Sequence, residues 1–167
     1  MVDKTQFKLM ARYNQWMNQN LYAVCSEIPD ADRKKDMGAF FKSIHSTLNH
    51  IMYADKAWMG RFTGKSVGGL KMGVDIYSDF DELRKEREKM DQEIIEWTRN
   101  LDPDWLGSEL KFTSKVDGIT RIMPYWAAVS QLFNHQTHHR GQLTTLIKQL
   151  GIDPGNTDIP WMPEFNQ

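Results

Sequence analysis

An all-α four-helix bundle, with a short hairpin in the long connection before the last helix, is the fold this sequence predicts. Three observations predict it. Four segments of roughly 20 to 28 residues carry apolar side chains at three- and four-residue spacing, the period of a helix with one buried face. Proline falls only between these segments, after the last of them, or at a first position. A chain of 167 residues, 40% hydrophobic, is long enough to bury the core of one domain, taken as 1–167.

The first helix is expected over residues 3–28, with Asp3 as its N-cap. Phe7, Met10, Met17, Leu21, Val24 and Ile28 form its apolar stripe, interrupted by Asn14, and Pro29-Asp30 stop it. The second is expected over residues 38–62, on Phe41, Ile44, Leu48, Ile51, Trp58 and Phe62. Gly64 ends it, and a loop containing Gly68, Gly69 and Gly73 follows, too irregular for a phosphate-binding motif. The third is expected over residues 80–100, on Phe80, Leu83, Met90, Ile94 and Trp97. Asp79, three residues before Glu82, has the form of a cap, and the charged run 82–89 reads as a solvated face.

Asp102-Pro103 then breaks the helical pattern. Residues 110–113 and 119–122 alternate apolar and polar around Asp117-Gly118, a hairpin signal with the right turn chemistry. The fourth helix is expected over residues 124–150, with Val129, Leu132, Leu143, Leu146 and Leu150 facing inward and Gly151 as the C-terminal cap. The tail from residue 156 to 167 is expected to pack back through Trp161, Met162 and Phe165.

Composition narrows the function. A net charge of −1 without a basic run argues against a nucleic-acid or acidic-membrane partner. The opening MVDKTQFKLM lacks the features of a signal peptide, and no stretch approaches the ~20 apolar residues of a membrane helix. The single cysteine, Cys25, excludes an internal disulfide and fits a cytoplasmic protein; it lies beside the first apolar stripe and reads as a buried small hydrophobe.

All five histidines fall in two of the helices, His45 and His50 in the second and His135, His138 and His139 in the fourth. His135 and His139, four residues apart, share a helix face, with Cβ atoms roughly 5–6 Å apart. Leu132, Leu143 and Leu146 lie on or beside that face, so it points inward. Two buried imidazoles side by side need partners, and a metal ion would take both lone pairs. His50, beside Leu48 and Ile51, can supply a third ligand from the facing helix, a common construction in bundle cores. The alternative is a set of core histidines satisfied by carbonyls and carboxylates. His45 is less well placed, and His138 is rotated about 100° from His139, toward the surface or the outer side of the site. Gln136 follows His135, so the pair is not the HExxH of a zinc peptidase, and no cysteine is near enough to close a structural zinc site.

The segment Asn134-His135-Gln136-Thr137-His138-His139-Arg140-Gly141-Gln142 resembles the C-terminal signature of the DinB (damage-inducible) family. His50-Ile51-Met52-Tyr53-Ala54-Asp55-Lys56-Ala57-Trp58 resembles its second-helix signature, and Tyr13-Asn14-Gln15-Trp16-Met17-Asn18 is similar to its opening helix. The resemblance implies a DinB/YfiT-type four-helix bundle, usually a homodimer, with one divalent metal on His50, His135 and His139. The spacing argument selects the same three residues. The family's functions are mixed: metal-dependent transferases acting with small thiols, a thiol-dependent isomerase, and members of unknown activity.

Three neutral imidazoles suit Zn or Ni, with Fe or Cu as alternatives, and leave positions open for water or substrate. One reading is a metal-dependent enzyme of thiol S-transferase or hydrolase type, acting on a small thiol or electrophile. Asn14, His138, Arg140 and Gln142 are then candidate helpers, and Tyr53 and Asp55 could orient His50 or serve the dimer. A second is a non-catalytic metal-binding stress-response protein in which the ion braces the helices. A third is an interaction module without metal. Trp16 and Trp58 read as core, and no Ser-His-Asp set or carboxylate pair stands out.

Overall fold

A computed structural model describes residues 3–114 and 117–166. The described residues form six α-helices, one two-stranded sheet and two single 3-10 turns: α1 (Thr5–Ser26), α2 (Asp30–Lys34), α3 (Ile44–Thr63), α4 (Phe80–Arg99), α5 (Pro103–Gly107), β1 (Glu109–Thr113), β2 (Thr120–Pro124) and α6 (Tyr125–Gln149), then the turns Ile159–Trp161 and Pro163–Phe165. The four long helices touch in a ring: α1 on α4, α4 on α3, α3 on α6, α6 on α1.

Helix α1 begins two residues later than expected. Asp3 accepts the Thr5 N–H rather than occupying the cap position, which Lys4 takes. The buried face runs through Phe7, Ala11, Asn14, Met17, Asn18, Leu21 and Cys25, while Met10 and Val24 are only partly covered. Pro29 ends the helix as expected, but the chain re-enters one short helix, α2, at Asp30.

The larger correction concerns α3, which starts at Ile44 and not at residue 38. Ser43 caps it, its Oγ accepting the Ser46 N–H. Residues 37–43 instead form a tight turn, in which Met37 N–H donates to the Lys42 carbonyl and Lys42 N–H to the Ala39 carbonyl. Lys42 has φ of 66°, a left-handed value unfavourable to a side chain with a Cβ. Phe41 therefore does not lie on the helical stripe. Gly64, also left-handed, ends α3 where expected.

The following loop is tied to α3. Asn49 Oδ1 accepts the N–H groups of Ile76 and Tyr77, both at 2.9 Å, and His45 Nε2 donates to the Tyr77 carbonyl at 2.9 Å. At Gly60 the loop comes so close that an added Cβ would lie 2.9 Å from the Lys65 carbonyl oxygen. Asp79 caps α4 as expected, accepting the Glu82 N–H at 2.8 Å.

The hairpin exists: β1 and β2 pair antiparallel, Glu109 opposite Pro124 and Thr113 opposite Thr120. Its exposed turn end is held by Asp117, which accepts the Ile119 N–H and pairs with Arg121. The short α5 precedes it, with Asp102 as its cap. Pro124 sits at the N-cap of α6 rather than inside it, and Gly151, φ of 78°, follows its end. Of the expected tail anchors only Met162 is buried; Trp161 and Phe165 are half exposed. Ile159 also packs on the core, and polar contacts add to the fastening, Tyr13 Oη donating to the Thr157 carbonyl and Arg12 pairing with Glu164. Gln167 lies outside the described residues. No described helix is long and apolar enough to cross a membrane.

Candidate metal centre

Helix α6 places His135 and His139 one turn apart, and α3, packed against it, brings His50 to the same point. His50 Nε2 lies 3.1 Å from His135 Nε2, and His139 Nε2 lies 3.0 Å from it. The three ligand atoms all fall within 4.8 Å of one another. Nitrogens held at about 2.0–2.1 Å by one tetrahedral ion sit about 3.3–3.4 Å apart, so the cluster needs little rearrangement to hold one.

Protonation favours the same reading. Burial, reinforced by the neighbouring His139, pushes His50 down to about 4. Burial, then His139, His50 and His138, push His135 down to about 3. His139 is also lowered by burial, against the opposing hydrogen bond to Gln142. All three rings are therefore neutral at pH 7. His139 Nδ1–H donates to Gln142 Oε1 at 2.7 Å, which leaves the Nε2 of His139 as a lone pair facing the other two rings. A single proton on His135 Nε2 could serve only one of its two neighbours, so the other close nitrogen pair would be left without a full hydrogen bond. A cation accepting all three nitrogens removes that conflict.

Aromatic rings support His50 from outside. Phe41, delivered by the tight turn, stacks on it with centroids 3.8 Å apart and meets His139 edge-on at 5.6 Å. Tyr53 lies nearly parallel to His50 at 6.2 Å.

The other expected participants are elsewhere. His45 is a core histidine held through Nε2 alone, its buried Nδ1 having no hydrogen-bond partner among the described residues. His138 is exposed, its ring edge-on to His139 at 4.8 Å and its Nε2 3.4 Å from the Gln142 side chain. Asp55 does not reach His50. It is fully buried, pairs with Arg87, and accepts from Gln136 Nε2 at 2.7 Å. Arg140 is likewise buried, donating to Asn14 Oδ1 and, at 3.1 Å, to Gln136 Oε1. Arg87 pairs with Asp91 at 2.9 Å, and Asp91 accepts from Asn14 at 3.3 Å and Asn18 at 2.8 Å. These contacts close a ring through α1, α3, α4 and α6, in which two carboxylates balance two guanidiniums. Burial pushes Asp91 up to about 6, against the pull of Arg87. Burial also works against the charge of Arg87, but Asp91 and Asp55 outweigh it and hold that guanidinium firmly charged.

Arg87, Asp91 and Gln136 were not expected here, and Arg87 lies within the run read as solvated. Their signal was positional: each falls on an apolar stripe, Arg87 between Leu83 and Met90, Gln136 between Leu132 and Leu143.

The profile of the DinB family matches residues 1–167. The chain belongs to the DinB family. Among relatives of this DinB-family chain, the protein DinB of Bacillus subtilis strain 168 is 27% identical over 161 residues, covering 91% of this chain and 90% of its own. The crystal structure of a DinB-like protein from Bacillus cereus ATCC 10987 superposes with a TM-score of 0.66 at 21% identity, over 86% of this chain and 90% of that one. At that identity the likeness speaks for the shared fold.

Proposed function

We propose that this DinB-family chain is one four-helix-bundle domain that binds a divalent transition metal on His50, His135 and His139 and serves as a metal-dependent enzyme, of thiol S-transferase or hydrolase type. The observation that carries the reading is the convergence of three neutral imidazole Nε2 atoms from two helices. Zn or Ni is the expected ion, since imidazole nitrogen suits both. A bound ion of this kind lowers the pKa of a thiol or water that joins it.

The chain's own residues have separable tasks. Gln142 holds His139 in the tautomer that points Nε2 inward. Phe41 covers one face of His50 and keeps water from that side. The charged ring joins α3 to α6 through Asp55 and Gln136, the residue after His135, and so holds His50 in register with its partners. The enclosed thiol of Cys25, pushed up to about 12 by burial, is not a nucleophile, which favours a thiol supplied from solution. Burial of the only cysteine and the family membership also support a cytoplasmic protein, expected to work as a homodimer.

Because the site joins α3 to α6, a purely bracing ion is the second reading. Elemental analysis of untagged protein should find about one metal per chain, lost in His135→Ala and His139→Ala. A well-folded parent that takes up neither Zn nor Ni would remove both readings. Given a bound ion, thiol-transfer or ester-hydrolysis turnover that depends on metal and on His135 supports the enzyme; a loaded protein that excludes added imidazole and azide supports the brace.

A further inference from the structure

A cavity of about 540 Å³ opens beside the histidine cluster, with His50 in its wall. That is the size of an ordinary small-molecule site, about 300–1,000 Å³. Its lining is mainly apolar: Phe41 and Tyr53, the two rings nearly parallel to His50, with Met72 and Val74 of the loop after α3. Phe40, Val74 and Met72 are 81%, 59% and 45% exposed, although large apolar side chains of a folded chain are normally covered. Three of the eight large hydrophobics exposed among the described residues are thus gathered around one concavity.

The polar lining is asymmetric. Asp75 is engaged, its Oδ2 accepting the Ser46 hydroxyl at 3.1 Å. Among the described residues Asp75 lacks only an ion pair, whereas Lys42 has neither an ion pair nor a side-chain hydrogen bond. It is also the one non-glycine described residue with positive φ, and the same tight turn presents Phe41 to His50. Backbone held in such a sparse region gathers at ligand clamps.

We propose that this cavity binds a small organic carboxylate with an apolar, ring-sized body. The body lies along Phe41, Tyr53, Met72 and Val74, and the carboxylate meets Lys42. This deepens the enzyme reading by naming a substrate class and rests on that reading only for the reaction, since the binding itself involves no metal.

The test is saturation-transfer NMR titration with 4-phenylbutanoate, butanoate and 4-phenylbutylamine, on the full-length parent and on His135→Ala, which keeps the cavity but breaks the metal site. Phenylbutanoate should bind about tenfold more tightly than butanoate, the effect of burying roughly 60 Å² of ring surface. It should also be preferred to the amine. Lys42→Glu should invert the carboxylate-to-amine preference, and Val74→Asp should weaken phenylbutanoate about tenfold. Both substitutions are at exposed side chains, and circular dichroism checks that the fold survives. The same order in His135→Ala supports the cavity even if the parent proves to bind no metal. Equal affinity for all three probes, preference for the amine in the parent, or indifference to Lys42→Glu overturns the proposal.

Discussion

Replacing Asp55 with alanine should be among the most damaging single changes in this protein. Asp55 is fully buried, and its two carboxylate oxygens meet Arg87 and Gln136 Nε2. Its removal strands a buried guanidinium and a buried amide donor in low dielectric. Breaking a buried ion pair costs about 3–5 kcal/mol, because the remaining charge stays uncompensated. Arg87 keeps Asp91 at 2.9 Å, which sets the expectation at the lower end, about 3 kcal/mol. That is a large share of the ~5–15 kcal/mol available to a domain of this kind. With a urea slope of ~2 kcal/mol per molar, the unfolding midpoint should fall by about 1.5 M. Asp30→Ala is the control: its pairs with Arg33 and Lys34 are at the surface, its side chain 54% exposed and screened by solvent, and the midpoint should barely move. Equal midpoints for the two variants would refute the view that the charged ring holds the helices together.

Other outcomes follow from the same geometry. Gln142→Ala removes the acceptor 2.7 Å from His139 Nδ1 and should weaken metal binding about 10- to 100-fold in competition with a chromophoric chelator, with the melting temperature of metal-free protein little changed. In metal-free protein His50 and His135 are held at about 4 and about 3, below their ordinary 6.5. The unfolded chain therefore takes up protons first as the pH falls; the contribution of these rings is complete above about 6.5 and is lost on the way down to 4 and 3. Urea midpoints at pH 7.5 and 4.5 should show that loss, and the His50→Ala/His135→Ala protein should show less of it. Gly60→Ala would put a methyl group 2.9 Å from the Lys65 carbonyl and 3.0 Å from a Val67 methyl. Overpacking of that kind costs about 1–3 kcal/mol, and limited proteolysis should detect earlier cleavage in residues 64–79.

The long helices were legible because each carries its period over five or more turns, and their ends because Gly64, Asp79 and Gly151 have a local mechanism that acts without the rest of the fold. The histidine cluster was legible because a four-residue spacing fixes a shared face before any packing is known. Phe41 was misassigned because its apolar character fits the stripe of α3, while the turn that removes it depends on backbone hydrogen bonds between residues 37 and 42. The charged ring was hidden for another reason. Asn14, Asp55 and Arg140 each read individually as an interruption or a helper, and Arg87 as part of a solvated face; only helix packing shows that the two carboxylates offset the two guanidiniums. The tail was half legible: an apolar cluster announced that it docks, and Met162 does, but Tyr13 and Arg12, far away in sequence, share the fastening.

Cys25, sealed on α1, turns the protein into its own clock. It is the only thiol in the chain, so a colourless aromatic disulfide reagent that releases a coloured product on reaction has one place to attack and none while the helices stay closed. The rate of colour development then counts openings of the core directly, without a tag or a label. Followed with and without added zinc, that rate would show whether an ion taken up between α3 and α6 slows the separation of a helix that it does not touch.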